Sequence, residues 1–340
     1  MHAVQSYQKF SGQQYVDAIL HCSDKKVCTN LAETMNVSHD SIYQEFRNPI
    51  KTTQCTLDLL KGLALDNLSK NGLYLIFDDT QATKFYAKKI EGVEVGFDGS
   101  LGMPAPGLKI VTALLTDKNI NIPIDAASYF SKDLAQAAYK TKSEIAIAIT
   151  RRVKDFCNIT RVLADAHYAT RQNIEFLSEQ QQAYLMKIPC NRVVEINEQQ
   201  GQLKHVLRLK KNCRVKSARG TFKGIDCYFY AVKIKAGTIV YFVSNDQIDP
   251  YEVVDLYRIR WNIELFHRTA KQYLGFSDCQ MRSIEKQRQH ILFVMVAYAI
   301  ASVRKMLMKL ACVEDFINHI RDVKTARGCT SVAAVEANLC

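Results

Sequence analysis

Short apolar runs that end in acidic residues dominate the pattern between residues 70 and 170. The run "LYLIFDDT" ends in two aspartates, and "GLKIVTALLTD", residues 107–117, predicts a second strand. Between them, "EGVEVGFDGSLGMPAPG" alternates and then breaks on glycine and proline, which predicts a further strand and a turn. Residues 131–156 predict a helix, and "TRVLADAHYA" predicts a strand that stops at Asp165. This order of elements predicts a mixed α/β sheet.

Apolar spacing near the start of the chain predicts short helices. Within "TNLAETMNVSHDSIYQEF" it indicates two helices broken around Asn36 to Ser38, with Ser38 or Asp40 capping the second. The arrangement resembles a helix-turn-helix, which binds DNA grooves. The side chains that would then face DNA are Ser41, Tyr43, Gln44 and Arg47. The alternative is an ordinary helical pair that packs on the core.

Residues 183–246 predict a β-rich insertion. Strand-like runs separated by polar or glycine-containing turns occur there: "AYLMKI", "HVLRLK", "IDCYFYAVKI" and "GTIVYFVS". The segment 208–224 holds seven basic residues and no acid, as expected of a ribbon that follows DNA phosphates. Its candidate DNA-binding residues are Arg214, Lys216 and Arg219. A solvated hairpin edge protected by lysines is the alternative.

Start and stop signals predict one long helix between Asp249 and Gly275. Asp249 can cap it, Pro250 suits its first position, and Gly275 can end it. The helix would contain about 25 residues and extend about 37 Å. At about 100° per residue, four side chains would lie within about 60° of one another. They are Tyr257, Arg260, Glu264 and Lys271.

These patterns predict five regions along the chain. We expect a helical region over 1–70 that contains the candidate helix-turn-helix, and a first part of the α/β core over 71–182. The insertion over 183–246 and a second part of the core over 247–310 follow, and then a helical tail over 311–340.

Composition adds information about partners and compartment. Lys and Arg total 45 against 34 Asp and Glu in 340 residues, a net charge of +11 that favours a polyanionic partner such as nucleic acid. Eleven cysteines without a CxxC pair indicate reduced cytosolic thiols. We expect no secretory signal, and the apolar run 291–303 is shorter than the roughly 20 residues that cross a bilayer. We therefore expect a cytoplasmic protein without a membrane partner, and this run as a buried helix.

Three acidic residues from distant parts of the chain fit phosphodiester chemistry. Two divalent ions about 3.5–4 Å apart need carboxylates from several elements, and Mg²⁺ prefers oxygen ligands. Asp78 and Asp165 stand at predicted strand ends, and Glu264 stands on the predicted long helix. Adjacent strand residues point to opposite sides, so only one of Asp78 and Asp79 can face such a site.

The three acidic motifs resemble those of the DDE transposases of bacterial insertion sequences. Within that family, the branch with the Y-x(2)-R-x(3)-E-x(6)-K signature is matched without a gap at Tyr257, Arg260, Glu264 and Lys271. "FDDT" resembles the family's first aspartate motif, where Asp78 is the favoured residue, and "VLADAHYA" resembles its second. The resemblance covers about residues 70–300.

The resemblance implies a fold, a cofactor and partners. The fold would be ribonuclease-H-like α/β, a mixed sheet with helices on both faces, a β-rich insertion and a small helical N-terminal region. Asp78, Asp165 and Glu264 would bind two Mg²⁺ ions, which Mn²⁺ can replace, while Tyr257, Arg260 and Lys271 would hold transposon-end phosphates. The partners would be double-stranded DNA at the terminal inverted repeats and target DNA, bound by a homodimer. The implied reaction is cut-and-paste transposition through a hairpin intermediate.

Two other functions and one uncertain residue stay open. A ribonuclease-H-like nuclease without strand transfer would keep the same acids, and a DNA-binding regulator would need none of them. Trp261 could stack on a flipped DNA base or pack against the insertion, and packing is the preferred interpretation.

Overall fold

The chain divides into two units, and two of the four divisions fall inside secondary-structure elements. The computed structural model describes residues 12–99, 101–135, 139–210, 212–234 and 237–327. The first unit comprises Met1–Ser69, Asp79–Tyr139 and Glu264–Cys340; the second comprises Lys70–Asp78 and Lys140–Ile263. Strand β1 (Tyr74–Thr83) therefore contributes residues to both units, and so does a helix near residue 264.

Helices make up most of the first unit. Those before the strands are α1 (Gln13–His21), α2 (Cys28–Met35), α3 (His39–Gln44) and α4 (Pro49–Asn67). Those near the end of the chain are α11 (Ile284–Leu307) and α12 (Val313–Arg327). Helix α11 is the centre of this unit, since it packs on α1, α4 and α12 and on a strand.

The predicted helical pair near the N-terminus is confirmed as α2 and α3. Asn36 adopts the left-handed conformation with φ 52° and ends α2, as a side chain of this type tolerates. Ser38 caps α3, because its hydroxyl accepts a hydrogen bond from the Ser41 backbone N–H at 3.2 Å. Contact of this pair with DNA stays a prediction.

Three antiparallel strands complete the first unit beside the Asp79–Thr83 part of β1. They are β2 (Glu94–Asp98), β3 (Met103–Thr116) and β4 (Asn121–Ser128). Strand β3 pairs with β2 through Met103–Gly107 and with β4 through Ile110–Thr116. The sequence did not predict β4, whose residues Ile122–Ala126 are all buried and so show no alternation.

The prediction of one helix over 131–156 is wrong. The segment forms α5 (Lys132–Ala135) in the first unit and α6 (Lys142–Lys154) in the second, and residues 136–138 lie outside the described part. Helix α6 begins anew at Thr141, where a capping box with Glu144 satisfies two backbone N–H groups.

Seven strands of the second unit follow β1 in the chain: β5 (Arg161–Ala164), β6 (Tyr184–Lys187), β7 (Val193–Ile196), β8 (Gln199–Gln202), β9 (Val215–Phe222), β10 (Ile225–Lys233) and β11 (Ile239–Ser244). They form a mixed sheet with β1 in the order β1-β5-β6-β11-β10-β9-β7-β8. The Tyr74–Phe77 part of β1 and β6 both pair with β5 in parallel. Strand β6 also pairs antiparallel with β11, so the β-rich segment extends this sheet. The mixed α/β class is thus confirmed.

One strand prediction in this segment is wrong. The run "HVLRLK" contains the end of a short helix, α8 (Leu203–Val206), and Leu207 and Leu209 are buried without strand pairing. Alternating leucines can be buried by irregular backbone as well as by a sheet, and this explains the error. Helix α7 (Arg171–Glu179) connects β5 to β6.

The single long helix predicted between Asp249 and Gly275 is also wrong. Two helices occur there, α9 (Val253–Arg258) and α10 (Trp261–Gln272). Between them the hydrogen bonds run from residue i to i−3, as from Arg260 N to Tyr257 O at 3.0 Å and from Ile263 N to Arg260 O at 3.1 Å. The angular positions calculated for one continuous helix therefore do not apply.

The apolar segment near residue 291 is a buried helix, as predicted. By length and composition alone α11 could cross a membrane, yet 78% of its most apolar stretch of 18 residues is buried inside the protein. Of the predicted helical tail over 311–340, the structure describes α12, and residues 328–340 lie outside the described part.

Asp246→Asn will destabilise the second unit. The Asp246 carboxylate accepts two hydrogen bonds of 2.6 Å from Arg161, whose side chain is only 12% exposed. Burial raises the pKa of Asp246, but hydrogen bonds from Arg161 and Ser244 outweigh it and hold that pKa below its ordinary value. Because the Asp246 side chain is 43% exposed, solvent screens the pair, and we expect a loss of about 1–2 kcal/mol in the free energy of unfolding at pH 7, measured by urea denaturation.

The pH dependence and a matched control test the same interaction. A lowered folded pKa contributes stability that is fully present above the unfolded pKa of about 3.9, so the difference between wild type and Asp246→Asn should shrink below that pH and be lost as pH falls through the folded pKa. The control is Asp226→Asn, because its ion pair with Arg219 has side chains 67% and 72% exposed and should contribute under about 1 kcal/mol. Equal losses in both variants would contradict the prediction.

Candidate active site

Asp78 and Asp165 follow paired positions on neighbouring parallel strands. Phe77 of β1 is the register partner of Ala164 of β5, and each aspartate is the next residue along the chain. Parallel strands place their carboxyl ends at one edge of a sheet, with neighbouring strands about 4.8 Å apart. Asp165 follows the last residue of β5, at the carboxyl edge of the strands of the second unit. Asp78 lies level with it but inside β1, which continues to Thr83, so the prediction that Asp78 ends a strand is wrong.

An ion pair holds Asp78. Arg260 Nη1 donates to Asp78 Oδ2 at 3.1 Å, and the two side chains are 13% and 16% exposed. The guanidinium also lies over the ring of Tyr257, with Cζ 5.6 Å from the ring centroid. The Tyr257 ring in turn packs against Phe242 of β11 at 4.9 Å between centroids. Of the signature residues, Arg260 thus contacts Asp78, and Tyr257 contacts Arg260.

The adjacent aspartate has a different partner. Asp79 belongs to the first unit, where the Tyr129 hydroxyl donates to its Oδ2 at 3.4 Å. Strand alternation separates the two neighbours, as the sequence predicted.

His167 contacts both oxygens of the Asp165 carboxylate. Its backbone N–H donates to Oδ1 at 2.9 Å, and its ring Nδ1 lies 2.9 Å from Oδ2. Asp165 is 24% exposed and His167 is 72% exposed. We did not include His167 among the predicted site residues, although its position two residues after the aspartate is the spacing of a local Asx-type contact.

Glu264 and Lys271 lie in the first unit, on α10. Glu264 is half-buried in the first turn of the helix, and Lys271 is in its last turn. Burial lowers the pKa of Lys271 below its ordinary value, and the negative charge of Asp98 partly offsets this. Asp98, at the end of β2, is 2% exposed and accepts a hydrogen bond from the Thr83 hydroxyl. Sequence analysis missed Asp98, because its nearness to Lys271 results from tertiary structure alone.

The other predicted DNA-binding residues lie apart from these aspartates or at the surface. Arg214, Lys216 and Arg219 are exposed on or just before β9, so their basic side chains face solvent. Trp261 is 56% exposed, which argues against the packing interpretation.

Near the N-terminus, two of the four side chains predicted to face DNA, Ser41 in α3 and Arg47 after it, differ. Arg47 is exposed, while the Ser41 hydroxyl lies 2.9 Å from that of Ser38. Arg47 is therefore better placed than Ser41 for an outside partner.

The chemistry of the acidic residues fits a divalent ion in part. Asp78 and Asp165 offer hard carboxylate oxygens from adjacent strands, the ligand type that Mg²⁺ and Mn²⁺ prefer. Among the described residues, no group of three or more His, Cys, Asp or Glu side chains is close enough together to hold a metal ion. The second unit thus brings two carboxylates onto neighbouring strands, and no more than that is present among its described residues.

Asp98→Asn will lower the pKa of Lys271 further. Burial already disfavours the charged ammonium, and the substitution removes the anion that favours it. Heteronuclear NMR of the lysine ε-position over pH measures the change. Asp117→Asn, a substitution at an exposed turn of the same unit, is the control; a Lys271 pKa unchanged by Asp98→Asn would contradict the assigned electrostatic contact.

Comparisons with known proteins agree on a family. The family model described as "Transposase DDE domain" matches residues 118–300, and the model described as "DDE superfamily endonuclease" matches residues 4–205. No curated protein matches the chain.

Solved structures support the fold. The piggyBac transposase synaptic complex with hairpin DNA is 11% identical, with a TM-score of 0.56 over 93% of this chain and 69% of that chain. The NurA nuclease from Sulfolobus solfataricus is 8% identical over 79% of this chain and 95% of its own, but its TM-score of 0.30 supports no conclusion. The ribonuclease-H-like α/β fold is confirmed. The match to the "Transposase DDE domain" model covers more than half of the chain, so the chain belongs to the DDE transposase family.

Proposed function

We propose that this protein is a DNA transposase that cleaves and joins DNA at the ends of an insertion sequence. Its catalytic, metal-binding residues would be Asp78, Asp165 and Glu264. The observation that carries the proposal is the register of β1 and β5, which puts Asp78 level with Asp165, and the ion pair of Asp78 with Arg260. Membership of the DDE family supplies the reaction class.

The proposed branch is the one with the Y-x(2)-R-x(3)-E-x(6)-K signature. Tyr257 and Arg260 would hold a phosphate of the transposon end, and Lys271 would hold another. A fixed guanidinium and ammonium near the attacked phosphoryl group would stabilise the charge that develops in the transition state.

Divalent metal would be bound by carboxylates of this chain. When bound, two Mg²⁺ or Mn²⁺ ions supply activation of the attacking group and charge stabilisation for the leaving oxygen. Asp78 and Asp165 would present their oxygens from level positions on β1 and after β5, and Glu264 would present its own from the first turn of α10. His167 would keep the Asp165 carboxylate oriented through its two contacts.

Cut-and-paste transposition through a hairpin-ended intermediate is the proposed route. The freed 3′-hydroxyl would attack the opposite strand, which closes the hairpin and releases the flanking DNA. Hydrolysis of the hairpin would regenerate the 3′-hydroxyl, which would then join target DNA, and a homodimer would act on the two ends together. Exposed Arg214, Lys216 and Arg219 would track DNA phosphates, and exposed Trp261 would stack on a displaced base. The terminal inverted repeats and target DNA are the proposed partners, and the cytoplasm is the proposed compartment.

A nuclease without strand transfer is the second candidate, because one matching family model describes an endonuclease. Supplying a paired 3′-hydroxyl end and a target plasmid separates the two functions. Joined product supports the transposase, and cleavage without joining supports the nuclease.

Alanine substitution of each carboxylate should abolish nicking of DNA. The substrate is the DNA flanking the reading frame, incubated with Mn²⁺, and the variants are Asp78→Ala, Asp165→Ala and Glu264→Ala. We expect each rate to fall at least about a thousandfold, since each removes a ligand of the catalytic ions.

Asp79→Ala is the matched control for these variants, because it removes the same side chain one residue away, where the described partner is Tyr129. It should keep nicking activity within about tenfold of wild type. Nicking by all three site variants at the parental rate would refute the site assignment.

His167→Ala should weaken metal binding without unfolding the protein. The exposed imidazole contributes under about 1 kcal/mol to stability, while loss of a partner of a metal ligand costs about 10- to 100-fold in affinity. Mn²⁺ affinity, measured by electron paramagnetic resonance, should recover in part with His167→Asn, whose amide can donate to Asp165. A merely structural histidine would leave Mn²⁺ affinity unchanged in both variants.

A further inference from the structure

Arg260 has two competing anionic partners if the proposed function holds. Its place in the signature assigns it a DNA phosphate, yet in the described structure its guanidinium donates to the Asp78 carboxylate at 3.1 Å. Asp78 likewise would serve both the guanidinium and a divalent ion. The same two groups therefore take part in metal binding and in DNA binding.

We infer that Arg260 exchanges partners, leaving Asp78 for a DNA phosphate, and that this exchange couples metal binding to DNA binding. Without DNA, the guanidinium neutralises the carboxylate and opposes a divalent cation at the same oxygens. With DNA, the phosphate takes the guanidinium, and the carboxylate becomes a metal ligand. The inference rests on the proposed function and adds an order of events to it.

Burial makes the loss of this ion pair costly for both groups. The two side chains are 13% and 16% exposed, so water cannot fully replace the opposite charge that each would lose. A divalent ion on Asp78 would also place a second positive charge beside the guanidinium, which like-charge repulsion disfavours. The exchange satisfies both constraints, because it gives the carboxylate a metal and the guanidinium a phosphate.

The exchange requires a change in the Arg260 side chain alone. Arg260 lies between α9 and α10, where backbone hydrogen bonds run from residue i to i−3. An arginine side chain has several rotatable bonds, so the guanidinium can change partner while this backbone stays in place. The Tyr257 ring, 5.6 Å from Cζ, offers a cation–π surface that supports the guanidinium near Asp78.

Mn²⁺ binding to the full-length protein tests the exchange directly. Titrations followed by electron paramagnetic resonance are run with and without the flanking DNA duplex, after subtraction of Mn²⁺ bound by the duplex alone. For wild type we expect DNA to raise Mn²⁺ affinity about 5- to 150-fold, the range of ordinary coupling between sites. In Arg260→Gln, Mn²⁺ should bind about fivefold more tightly without DNA, and the enhancement by DNA should disappear.

The control for this variant is Arg258→Gln. It removes one positive charge two residues away, from an exposed side chain that pairs with Asp255. It should keep the wild-type enhancement by DNA. If Arg260→Gln binds Mn²⁺ no more tightly than wild type and keeps the enhancement, the exchange is refuted and the contact is only a structural ion pair.

A second variant tests the exchange from the other partner and does not depend on the folding of Arg260→Gln. In the presence of EDTA, Asp78→Asn should bind DNA about fivefold more tightly than wild type, because Arg260 no longer has a competing carboxylate. Asp79→Asn removes the same charge one residue away and should give a much smaller gain. Equal gains would refute the exchange.

Failure of the inference can be told apart from failure of the proposed function. Asp78-dependent nicking by wild type, with Mn²⁺ affinity insensitive to Arg260, refutes the exchange and leaves the transposase proposal standing. Wild type that neither nicks DNA nor binds Mn²⁺, with or without DNA, refutes both.

Discussion

The parallel pairing of β1 with β5 is the constraint on which the candidate site depends. Four consecutive register pairs, Tyr74 with Arg161 through Phe77 with Ala164, set the relative position of two strands that are more than eighty residues apart in the chain. A slip of one residue would turn each following side chain to the other face of the sheet. Asp78 and Asp165 can lie level with each other only because this register is kept, and the buried residues Leu75, Ile76 and Leu163 oppose a slip.

Two basic side chains complete the environment of these aspartates within the second unit. Arg260 compensates Asp78, and His167 contacts Asp165 through both its backbone and its ring. The two contacts differ in character. The first is largely shielded from solvent and long-range in sequence, so it ties the segment after α9 to β1; the second is local and exposed, so it orients one carboxylate at little cost in entropy.

Sequence patterns predicted the features that local physics decides. The strand ending at Ala164, the turn at Asn36 and the cap at Ser38 follow from apolar runs, a left-handed residue and a hydroxyl acceptor, and the structure has all three. The family resemblance added the ribonuclease-H-like fold, which a composition argument alone does not reach. The roles of individual site residues stay proposals, because sequence spacing alone does not establish chemistry.

The wrong secondary-structure predictions have one physical cause. A local sequence pattern favoured one structure, and tertiary contacts stabilise another. The helix expected to run from Asp249 to Gly275 is interrupted at Ile259 and Arg260, where the Arg260 side chain is committed to Asp78. The sequence did not predict strand β4, because burial on both faces removes the alternation of apolar and polar residues that marks a half-exposed strand. The leucines of "HVLRLK" lie just after a short helix, in irregular backbone that buries them. Their spacing of two residues is typical of a strand, but no strand forms there.

The position of α11 late in the chain has a consequence for synthesis of the protein. This helix is apolar enough to be treated by the cell as a membrane segment or to aggregate if it stayed exposed. Three of its packing partners, α1, α4 and β4, precede it in the chain, and α12 follows it, so much of the surface that covers α11 has left the ribosome when Ile284 emerges. Vectorial translation thus delivers this apolar helix to a nascent protein that can already bury part of it.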